Sequence, residues 1–297
     1  RLSLAPLNNL LNSLPGSLNT LGKFFSMRAT LRAALGSEEF DLAHLLDGSQ
    51  GHLLDVVPRT LPVVATAHDV IPLLQSRGRF PVASPGLAAR WLINRSIKGL
   101  RRANCVMAVS ASTADDLVDE AGVDFERTIH LPSALPPGPA EEACRDSGPA
   151  WSERRCANDA YIMHIGNNGF YKNRIGVLRI FLSMADHSSL RLKLAGPAPS
   201  QELKVLVEQS GLSERVDFVV DPSLGEVADL YRNACLLLFP SLYEGYGWPP
   251  LEAMAFGCPV VCSNVASLPE VVGDAALTAA PDDEETLADL CCHILND

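Results

Sequence analysis

The stretch CLLLFPSLYEGYGWPPLEAMAFGCPVVCSN, residues 235–264, decides the fold class of this chain. It opens with a short apolar run, 235–241, that is typical of a buried strand, and it closes with a second such run, 259–264. Between them, Pro249 and Pro250 suit the first turn of a helix, where a missing backbone N–H costs nothing. Strands that are apolar on both sides and joined by a helix predict a parallel sheet with both faces covered.

The same alternation of strand and helix runs through the whole chain. In the first half, the pattern predicts strands at 40–47, 61–69, 105–110 and 127–133 and helices at about 23–35, 85–102 and 111–121. In the second half, it predicts strands at 161–166, 190–196, 216–220, 235–241 and 259–264 and helices at about 174–186, 200–210, 223–233, 250–256 and 283–295.

These elements predict an α/β protein with two Rossmann-like, doubly wound parallel-sheet domains that face each other across a cleft. The first domain spans 1–135 and the second 160–297. Residues 136–159 lose the periodicity and fill with Pro, Gly and charge, which indicates a linker. Ligands of such sheets bind beyond the carboxyl ends of the strands, so the loops after the strands are the candidate sites.

Composition narrows the functional class. Of 297 residues, 47% are hydrophobic and 20% charged, and no apolar run approaches the roughly 18 residues that a membrane span needs. Eight cysteines show no CxxC pairs, and several lie in apolar runs, which favours reduced thiols in a cytoplasm. Seven histidines form no ligand-spaced cluster and no Asp-x-Asp pair occurs, so we expect neither a metal ion nor another cofactor.

The net charge of −11 is unevenly distributed. Lys+Arg minus Asp+Glu gives 13 − 12 = +1 for residues 1–135 and 11 − 23 = −12 for 136–297. Segment 77–102 holds seven basic residues and no acid. It predicts a helix with Arg95, Lys98 and Arg102 on one face and a core-facing stripe opposite, formed by Ala89, Ile93, Ile97 and Leu100. Two interpretations stay open, a solvated face or a surface for anionic lipid or substrate; nucleic acid is not expected.

The loop after strand 235–241 carries the chemistry. Gly245 and Gly247 flank Tyr246 and let the backbone approach a ligand closely, while the following helix begins with amides suited to phosphate. Glu252, predicted in the first turn of that helix, can accept two hydrogen bonds from a ribose diol, and Glu244 can hold a second polyol. A ligand with a ribose, phosphates and another polyol is a sugar nucleotide.

Four motifs now resemble one family, glycosyltransferase family 4, the retaining, mannosyltransferase-like group with the GT-B fold. The segment 244–277 resembles its signature, including a pair of glutamates separated by seven residues. The other three motifs follow in the family's order and spacing: VVATAHDVIPL (63–73), RANCVMAVSASTADDLVDEAGV (102–123) and HIGNNGFYKNRIGVLRIF (164–181).

The resemblance implies a role for each matching residue. Glu252 would bind the nucleotide ribose, and Glu244, with the amides of Gly245, Tyr246 and Gly247, would bind the donor-sugar hydroxyls and the diphosphate. Lys172 would neutralise the diphosphate, and His68 would reach the donor sugar from the first domain. His68, Lys172 and Glu244 are therefore the catalytic candidates, and Asn167 and Asn173 in the Lys172 turn join the substrate-binding set.

The chain departs from the family pattern in two respects. Many members have a basic residue at the positions of Asn167 and Tyr171, so the diphosphate contact depends on Lys172 unless Arg174 contributes. The first strand with its glycine-rich loop and the final helices of the family have no counterpart here, so we expect a fragment truncated at both ends.

The expected function is hexose transfer, with retention, from a nucleoside-diphosphate sugar to a glycan or lipid-linked acceptor in cell-surface polysaccharide biosynthesis. This would take place in the cytoplasm or at the inner face of its membrane, with segment 77–102 facing anionic lipid. Two alternatives stay open: a non-catalytic sugar-nucleotide-binding subunit, and a GT-B epimerase or phosphorylase. A dehydrogenase is not expected, because no G-x-G-x-x-G follows a predicted strand.

Overall fold

The computed structural model describes residues 16–37, 39–135, 138, 141, 149–156, 159–184 and 190–296. The chain divides into two compact units, Arg1–Pro132 and Ser133–Asp297, and each contains its own parallel sheet. Most of the predicted linker, 136–159, lies outside the described residues. A short helix, Trp151–Cys156, occupies part of what remains.

The first unit is an α/β structure on a four-stranded sheet. Its strands pair in parallel in chain order: β1 (Ala43–Leu45), β2 (Val63–Ala67), β3 (Cys105–Ala108) and β4 (Thr128–His130). Its helices are α1 (Gly16–Ser37), α2 (Ile71–Ser76), α3 (Leu87–Leu100) and α4 (Ala111–Asp119), with 3₁₀ segments at Gly48–Val56 and Phe125–Arg127.

Local sequence explains two junctions of this unit. The Ser110 side chain accepts a hydrogen bond from the Thr113 amide, so Ser110 is the N-cap that starts α4 directly after β3. Helix α3 lies against the segment Gly48–Val56 at a glycine pair, because a Cβ on Gly99 would come within 1.9 Å of the Gly51 carbonyl oxygen. Two glycines therefore allow these two backbones to touch.

The second unit has six parallel strands in the order β10-β9-β8-β5-β6-β7. The strands are β5 (Tyr161–Ile165), β6 (Arg191–Gly196), β7 (Val216–Val220), β8 (Leu236–Phe239), β9 (Val260–Ser263) and β10 (Leu277–Ala279). The helices, in chain order, are α5 (Trp151–Cys156), α6 (Arg174–Ser183), α7 (Gln201–Gln209), α8 (Leu224–Asn233), α9 (Trp248–Ala255), α10 (Leu268–Val272) and α11 (Glu284–Asn296).

Strand β8 shows why the apolar runs are continuous. All four of its residues are buried. Leu236 and Leu238 point into the core on one face of the sheet, whereas Leu237 and Phe239 point into the core on the other. Successive side chains of a strand alternate between the two faces, so a strand covered on both sides must be apolar at every position.

The predicted strands and helices all form, with shifted ends, and several short elements were not predicted. These are the helices α2, α5 and α10, the edge strand β10, and the 3₁₀ segments Gly48–Val56, Phe125–Arg127, Phe170–Lys172 and Gly273–Ala275. One part of the predicted core stripe of α3 is wrong. Ile97 and Leu100 are buried, but Ala89 is exposed because the first turns of the helix extend beyond the elements it packs on.

Six cysteines are free within the described residues, as the sequence predicts. Burial raises the pKa of the Cys258 and Cys262 thiols to about 12, so these side chains remain protonated and act as small apolar groups.

Candidate functional site

The loop between β8 and α9 lies at the carboxyl end of the second sheet, where the sequence places the site. Strand β8 ends at Phe239 and α9 begins at Trp248, with Gly247 at its N-cap position. Gly247 has φ 116°, and a Cβ there would come within 2.9 Å of Leu268 Cδ2. Glycine is therefore required here both by the backbone conformation and by the packing.

The start of α9 differs from the prediction in the position of Glu252 and in the amides that are available to a ligand. Because the helix begins at Trp248, Pro249 and Pro250 occupy its second and third positions, and Glu252 lies beyond its first turn. The two prolines contribute no N–H groups, so the loop rather than the first turn supplies the donors. Over the chain segments that the structure describes, the amides of Tyr246, Gly247 and Trp248 have no acceptor.

Glu252 is held from helix α8. Its Oε2 accepts a hydrogen bond of 3.0 Å from the hydroxyl of Tyr231, which is fully buried and stacked on Phe256. Burial raises the pKa of Glu252, an effect that the Tyr231 hydrogen bond partly opposes. The same burial, with the nearby Glu252 charge, raises the pKa of Tyr231 well above its usual value. The carboxylate is thus fixed at one oxygen, and its other oxygen forms no described protein bond.

Glu244 and Lys172 form a nearly buried ion pair. The Lys172 Nζ lies 2.7 Å from Oε1 and 3.0 Å from Oε2 of Glu244, and the two side chains are 12% and 8% exposed. The ammonium also lies 4.9 Å from the centroid of the Phe239 ring. The two catalytic candidates of the second half are therefore in direct contact.

Hydroxyl groups fix the backbone around Glu244, two of them from the end of β9 and the segment that follows it. The Ser267 Oγ is within hydrogen-bond distance of the carbonyl oxygens of Glu244 and Tyr246, at 2.9 and 2.6 Å. The Ser263 Oγ donates to the Ser241 carbonyl at 2.5 Å. The Tyr246 hydroxyl donates to the Ser133 carbonyl. These serines were not singled out in the sequence, because nothing local connects them with residues 241–247.

A tight turn presents Lys172. Residues Phe170–Lys172 form a 3₁₀ turn, and Asn173 follows in the left-handed conformation, φ 50°, as the N-cap of α6. The Asn173 Oδ1 accepts from the Gly176 amide, and its Nδ2 donates to the Pro240 carbonyl at 3.0 Å. Asn173 therefore ties the Lys172 turn to the end of β8.

The other residues of this turn make mainly internal contacts. The Asn167 Oδ1 accepts from the Gly169 amide and its Nδ2 donates to the Tyr171 hydroxyl. Arg174 is 6% exposed, and its Nη1 bonds Asn168 Oδ1 at 2.6 Å and the Pro197 carbonyl. Its Nε and Nη2 are buried without a described partner. Arg174 thus connects the loops that follow β5 and β6.

His164, near the end of β5, lies behind Lys172 and was not selected from the sequence. It is fully buried, stacks on Phe239, and its Nδ1 is 3.0 Å from the Leu238 carbonyl oxygen. A carbonyl oxygen only accepts, so Nδ1 carries the proton and Nε2 holds a lone pair. Burial and, to a smaller extent, the charges of Arg174 and Lys172 lower the pKa of His164 to about 3, although the hydrogen bond to Leu238 opposes this shift. The imidazole is neutral beside the ammonium group.

His68 is positioned in the first unit by strand β2. It follows the strand end directly, is exposed, and its Nε2 lies 3.0 Å from the Leu46 carbonyl oxygen. It borders a cavity of about 580 Å³ whose lining includes His52, Ser96 and Leu73. The site of His68 is thus the carboxyl edge of the first sheet, the location expected for a ligand-binding loop.

The basic segment 77–102 is less free than its sequence suggests. Arg95 pairs with Asp55 at 2.7 Å, Arg77 and Arg79 pair with Glu120, and Arg102 donates to the Leu54 and Val57 carbonyls. Arg95 and Arg102 therefore do not form the open basic face predicted with Lys98. The exposed features of α3 are Leu87, at 85%, and Trp91, at 46%, together with Arg90 and Lys98.

No group of three or more His, Cys, Asp or Glu side chains suited to a metal ion occurs in the part of the chain that the structure describes. Among the helices of that part, none combines the length and the apolarity needed to cross a bilayer.

Two family profiles match the chain. The profile described as glycosyl transferases group 1 matches residues 160–297, and the one described as glycosyltransferase family 4 matches residues 10–136. Among curated proteins, the chain is 32% identical over 244 residues to O-antigen chain mannosyltransferase B of Escherichia coli, covering 78% of this chain and 60% of that protein.

Two further mannosyltransferases are similar. RfbU of Salmonella typhimurium, an O-antigen chain mannosyltransferase, is 26% identical, with 75% of this chain and 62% of RfbU covered. The MMP alpha-(1->4)-mannosyltransferase of Mycolicibacterium hassiacum is 26% identical over 92% of this chain and 66% of that protein. The chain thus spans about three fifths of the length of the two O-antigen relatives.

Solved structures share the architecture. The Anabaena protein HepE, solved in complex with UDP and glucose, has a TM-score of 0.72 at 19% identity, covering 96% of this chain and 75% of HepE. Sucrose-phosphate synthase of Thermosynechococcus elongatus has a TM-score of 0.73 at 20% identity, covering 93% and 70%. Similarity at this identity concerns the fold.

Proposed function

Since this chain belongs to the group 1 glycosyltransferases of family 4 and has the predicted GT-B fold of two Rossmann-like parallel-sheet units, we propose that it transfers a hexose-type sugar with retention. The donor is a nucleoside-diphosphate sugar, and the acceptor is a glycan or a lipid-linked glycan. The names of the bacterial relatives support a mannose-like sugar and cell-surface polysaccharide biosynthesis.

One observation carries the proposal: Glu244, Lys172 and Glu252 lie on or beside one loop, the loop between β8 and α9 at the carboxyl edge of the second sheet. Three amides without an acceptor among the described residues, those of Tyr246, Gly247 and Trp248, lie in the same segment. In this assignment Glu252 binds the ribose through the oxygen that Tyr231 leaves available. Lys172 and the amides of Tyr246 and Gly247 bind the diphosphate, with the adjacent Gly245 backbone close to it. Glu244 accepts hydrogen bonds from the sugar hydroxyls.

The chemistry follows from charge. Breaking the bond between the anomeric carbon and the phosphate oxygen leaves negative charge on the diphosphate, and a fixed ammonium with oriented amides stabilises that charge as it grows. The acceptor hydroxyl then attacks from the face that the diphosphate leaves and gives its proton to the departing phosphate oxygen, so the configuration is retained. His68 contributes a contact to the donor sugar from the first unit. No metal ion or other cofactor is part of this proposal.

The remaining asparagines support Lys172. Asn173 holds the Lys172 turn against Pro240, and we assign it the role of positioning the ammonium. Asn167 shapes the turn through Gly169 and is exposed, and we assign it a contact with the substrate. Because Arg174 is buried and bonded to Asn168, it acts on the diphosphate through the loop rather than by contact.

A thermal-shift panel of nucleoside diphosphates and their sugars tests this assignment. We expect the wild-type protein to be stabilised by at least one pair, and Glu252→Ala to lose roughly 1–3 kcal/mol of nucleotide affinity with its ribose hydrogen bonds. Lys172→Ala should weaken diphosphate binding but not nucleoside binding. No stabilisation of the wild-type protein by any nucleotide would contradict the proposal.

Labelled donors distinguish the alternative reactions. Transfer of label to an acceptor with the anomeric configuration kept supports the glycosyltransferase. Binding without transfer or hydrolysis indicates a non-catalytic sugar-nucleotide-binding subunit. Conversion of the donor sugar itself, or its release onto inorganic phosphate, indicates an epimerase or a phosphorylase.

An anionic membrane surface is the second proposed partner, which would place the protein at the cytoplasmic face of a membrane. Exposed Leu87 and Trp91 lie on the same helix as Arg90 and Lys98, a combination of apolar and basic groups that suits an anionic interface. Beside Lys98, a recess of about 440 Å³ is lined by further cations, Arg59, Arg101 and Arg102.

A further inference from the structure

In the proposed function, Lys172 binds the diphosphate of the donor and Glu244 binds its sugar, but in the structure these two side chains form an ion pair with each other. Lys172 follows β5 and Glu244 follows β8, and these two strands are neighbours in the sheet. Both Glu244 oxygens lie within 3.0 Å of the Lys172 Nζ, so the charge of the ammonium group is paired with the carboxylate. A diphosphate that approaches Lys172 therefore competes with Glu244 for the same positive charge.

We propose that this ion pair makes nucleotide binding depend on the attached sugar, so that Glu244 discriminates the donor from the bare nucleoside diphosphate. The inference rests on the proposed function and extends it. When Lys172 turns to the diphosphate, its contact with the Glu244 carboxylate weakens, and weakening the ion pair of a carboxylate that is only 8% exposed is costly.

The sugar changes this balance. Hydroxyl groups of a hexose donate hydrogen bonds to a carboxylate, so a complete donor replaces the contacts that Glu244 loses. At the position of the sugar, a bare nucleoside diphosphate has only its terminal phosphate, whose negative charge and acceptor oxygens cannot replace these contacts. The intact donor consequently binds without this loss of affinity, whereas the product nucleoside diphosphate binds more weakly and dissociates more readily.

The surroundings keep the competition in place. Ser267 holds the carbonyl groups of Glu244 and Tyr246, and Asn173 ties the Lys172 turn to Pro240, so neither partner is on a loose segment. His164 is neutral and adds no second cation beside Lys172 that could serve both anions. In the proposal, binding of the phosphate by Lys172 therefore weakens the contact of Lys172 with the carboxylate.

Isothermal titration with matched probes tests the inference: UDP against UDP-glucose, and GDP against GDP-mannose. In Glu244→Gln, the carboxylate charge is gone, so we expect the bare nucleotide to bind roughly tenfold more tightly than in the wild type. The affinity of Glu244→Gln for the sugar nucleotide should be equal to that of the wild type or lower. Glu214→Gln, which removes one exposed charge from the same unit, should leave both affinities unchanged.

A double-mutant cycle assigns the effect to the pair. In a Lys172→Met background, Glu244→Gln should no longer change the affinity for the bare nucleotide. Glu244→Asp keeps the charge but retracts it by one methylene, and it should shift the bare-nucleotide affinity in the same direction by a smaller factor. This variant keeps the test usable if Glu244→Gln does not fold.

The outcomes separate the inference from the proposed function. If the wild-type protein binds neither nucleoside diphosphates nor sugar nucleotides, both are overturned. If the wild-type protein binds them, but Glu244→Gln and Glu244→Asp bind the bare nucleotide equally or more weakly, the inference alone is overturned. In that case the Lys172 ammonium group donates hydrogen bonds to the carboxylate and to the phosphate at the same time, through different N–H groups.

Discussion

In the proposed site, Glu252 would balance the stability of the fold against nucleotide binding. The structure buries its carboxylate beside Tyr231, and desolvation raises its pKa above the ordinary 4.5. The folded chain thus binds this proton more tightly than the unfolded chain, so the contribution of Glu252 to stability falls as pH rises from 4.5 through the raised pKa. At neutral pH the folded protein keeps a charge that would be better solvated in the unfolded chain.

We therefore predict that Glu252→Gln stabilises the fold and weakens nucleotide binding. Glutamine can still accept the Tyr231 hydrogen bond but carries no charge, so Tm near neutral pH should rise by about 2 °C, and the gain should shrink toward pH 4.5. Affinity for nucleotide should fall about tenfold. Thermal unfolding across pH and titration measure the two effects, with Glu214→Gln as the control. A lower Tm for Glu252→Gln at neutral pH would contradict this account.

The elements that carry the site meet at a glycine contact. Gly196 ends β6 with φ 134°, and a Cβ there would lie 2.2 Å from the carbonyl oxygen of Gly166, which follows β5. The Gly166 amide donates to the Ala195 carbonyl at 3.1 Å. The loops after β5 and β6 can approach this closely only without a side chain, and the first of them leads to the Lys172 turn.

Gly196→Ala should therefore damage both the fold and the site. We expect a loss of about 3 kcal/mol in the free energy of unfolding, from strain at positive φ together with the clash. Gly211→Ala is the matched control, because Gly211 also has positive φ, 72°, but no atom within 4 Å of its added Cβ. It should lose about 1 kcal/mol and keep nucleotide affinity. Equal losses in the two variants, measured by denaturant unfolding, would exclude the close approach as the cause.

The whole molecule is electrostatically divided. Residues 1–135 carry +1 and residues 136–297 carry −12, from 13 − 12 and 11 − 23 basic minus acidic residues. An anionic lipid surface repels the second part, so membrane contact would be made through the first part of the chain. Within that part, α3 offers exposed apolar and basic side chains together, although several of its arginines are engaged in internal bonds.

We predict salt-sensitive flotation of the protein with anionic vesicles, and loss of flotation in the combined variant Leu87→Ser, Trp91→Ser. Removing these two side chains removes the apolar contact; Leu87 is 85% exposed, whereas Trp91 is 46% exposed and lies 5.3 Å from Arg95, so thermal unfolding of the variant is the control for its fold. Lys204→Ala, an exposed charge in the second unit, should float like the wild type. Wild-type protein that stays in the bottom fraction at low salt would contradict the membrane proposal.

The sequence by itself determined the order of the elements and pointed to the loop of the candidate site. Apolar runs separated by helical periodicity predict parallel strands, because a strand covered on both faces has no polar position, as all four buried residues of β8 show. Glycines and prolines then mark the loop 241–247 and the start of α9, since their backbone restrictions act locally.

Only the tertiary structure decided which side chains work together. Lys172 and Glu244 are 72 positions apart, and Tyr231 reaches Glu252 from another helix. Likewise, Asp55 and the Leu54 and Val57 carbonyls take up arginines that look free in the sequence. Contacts between residues far apart in the chain depend on strand order and packing, and no local pattern encodes them. The sequence therefore locates the binding edge, and the fold sets the charge balance there.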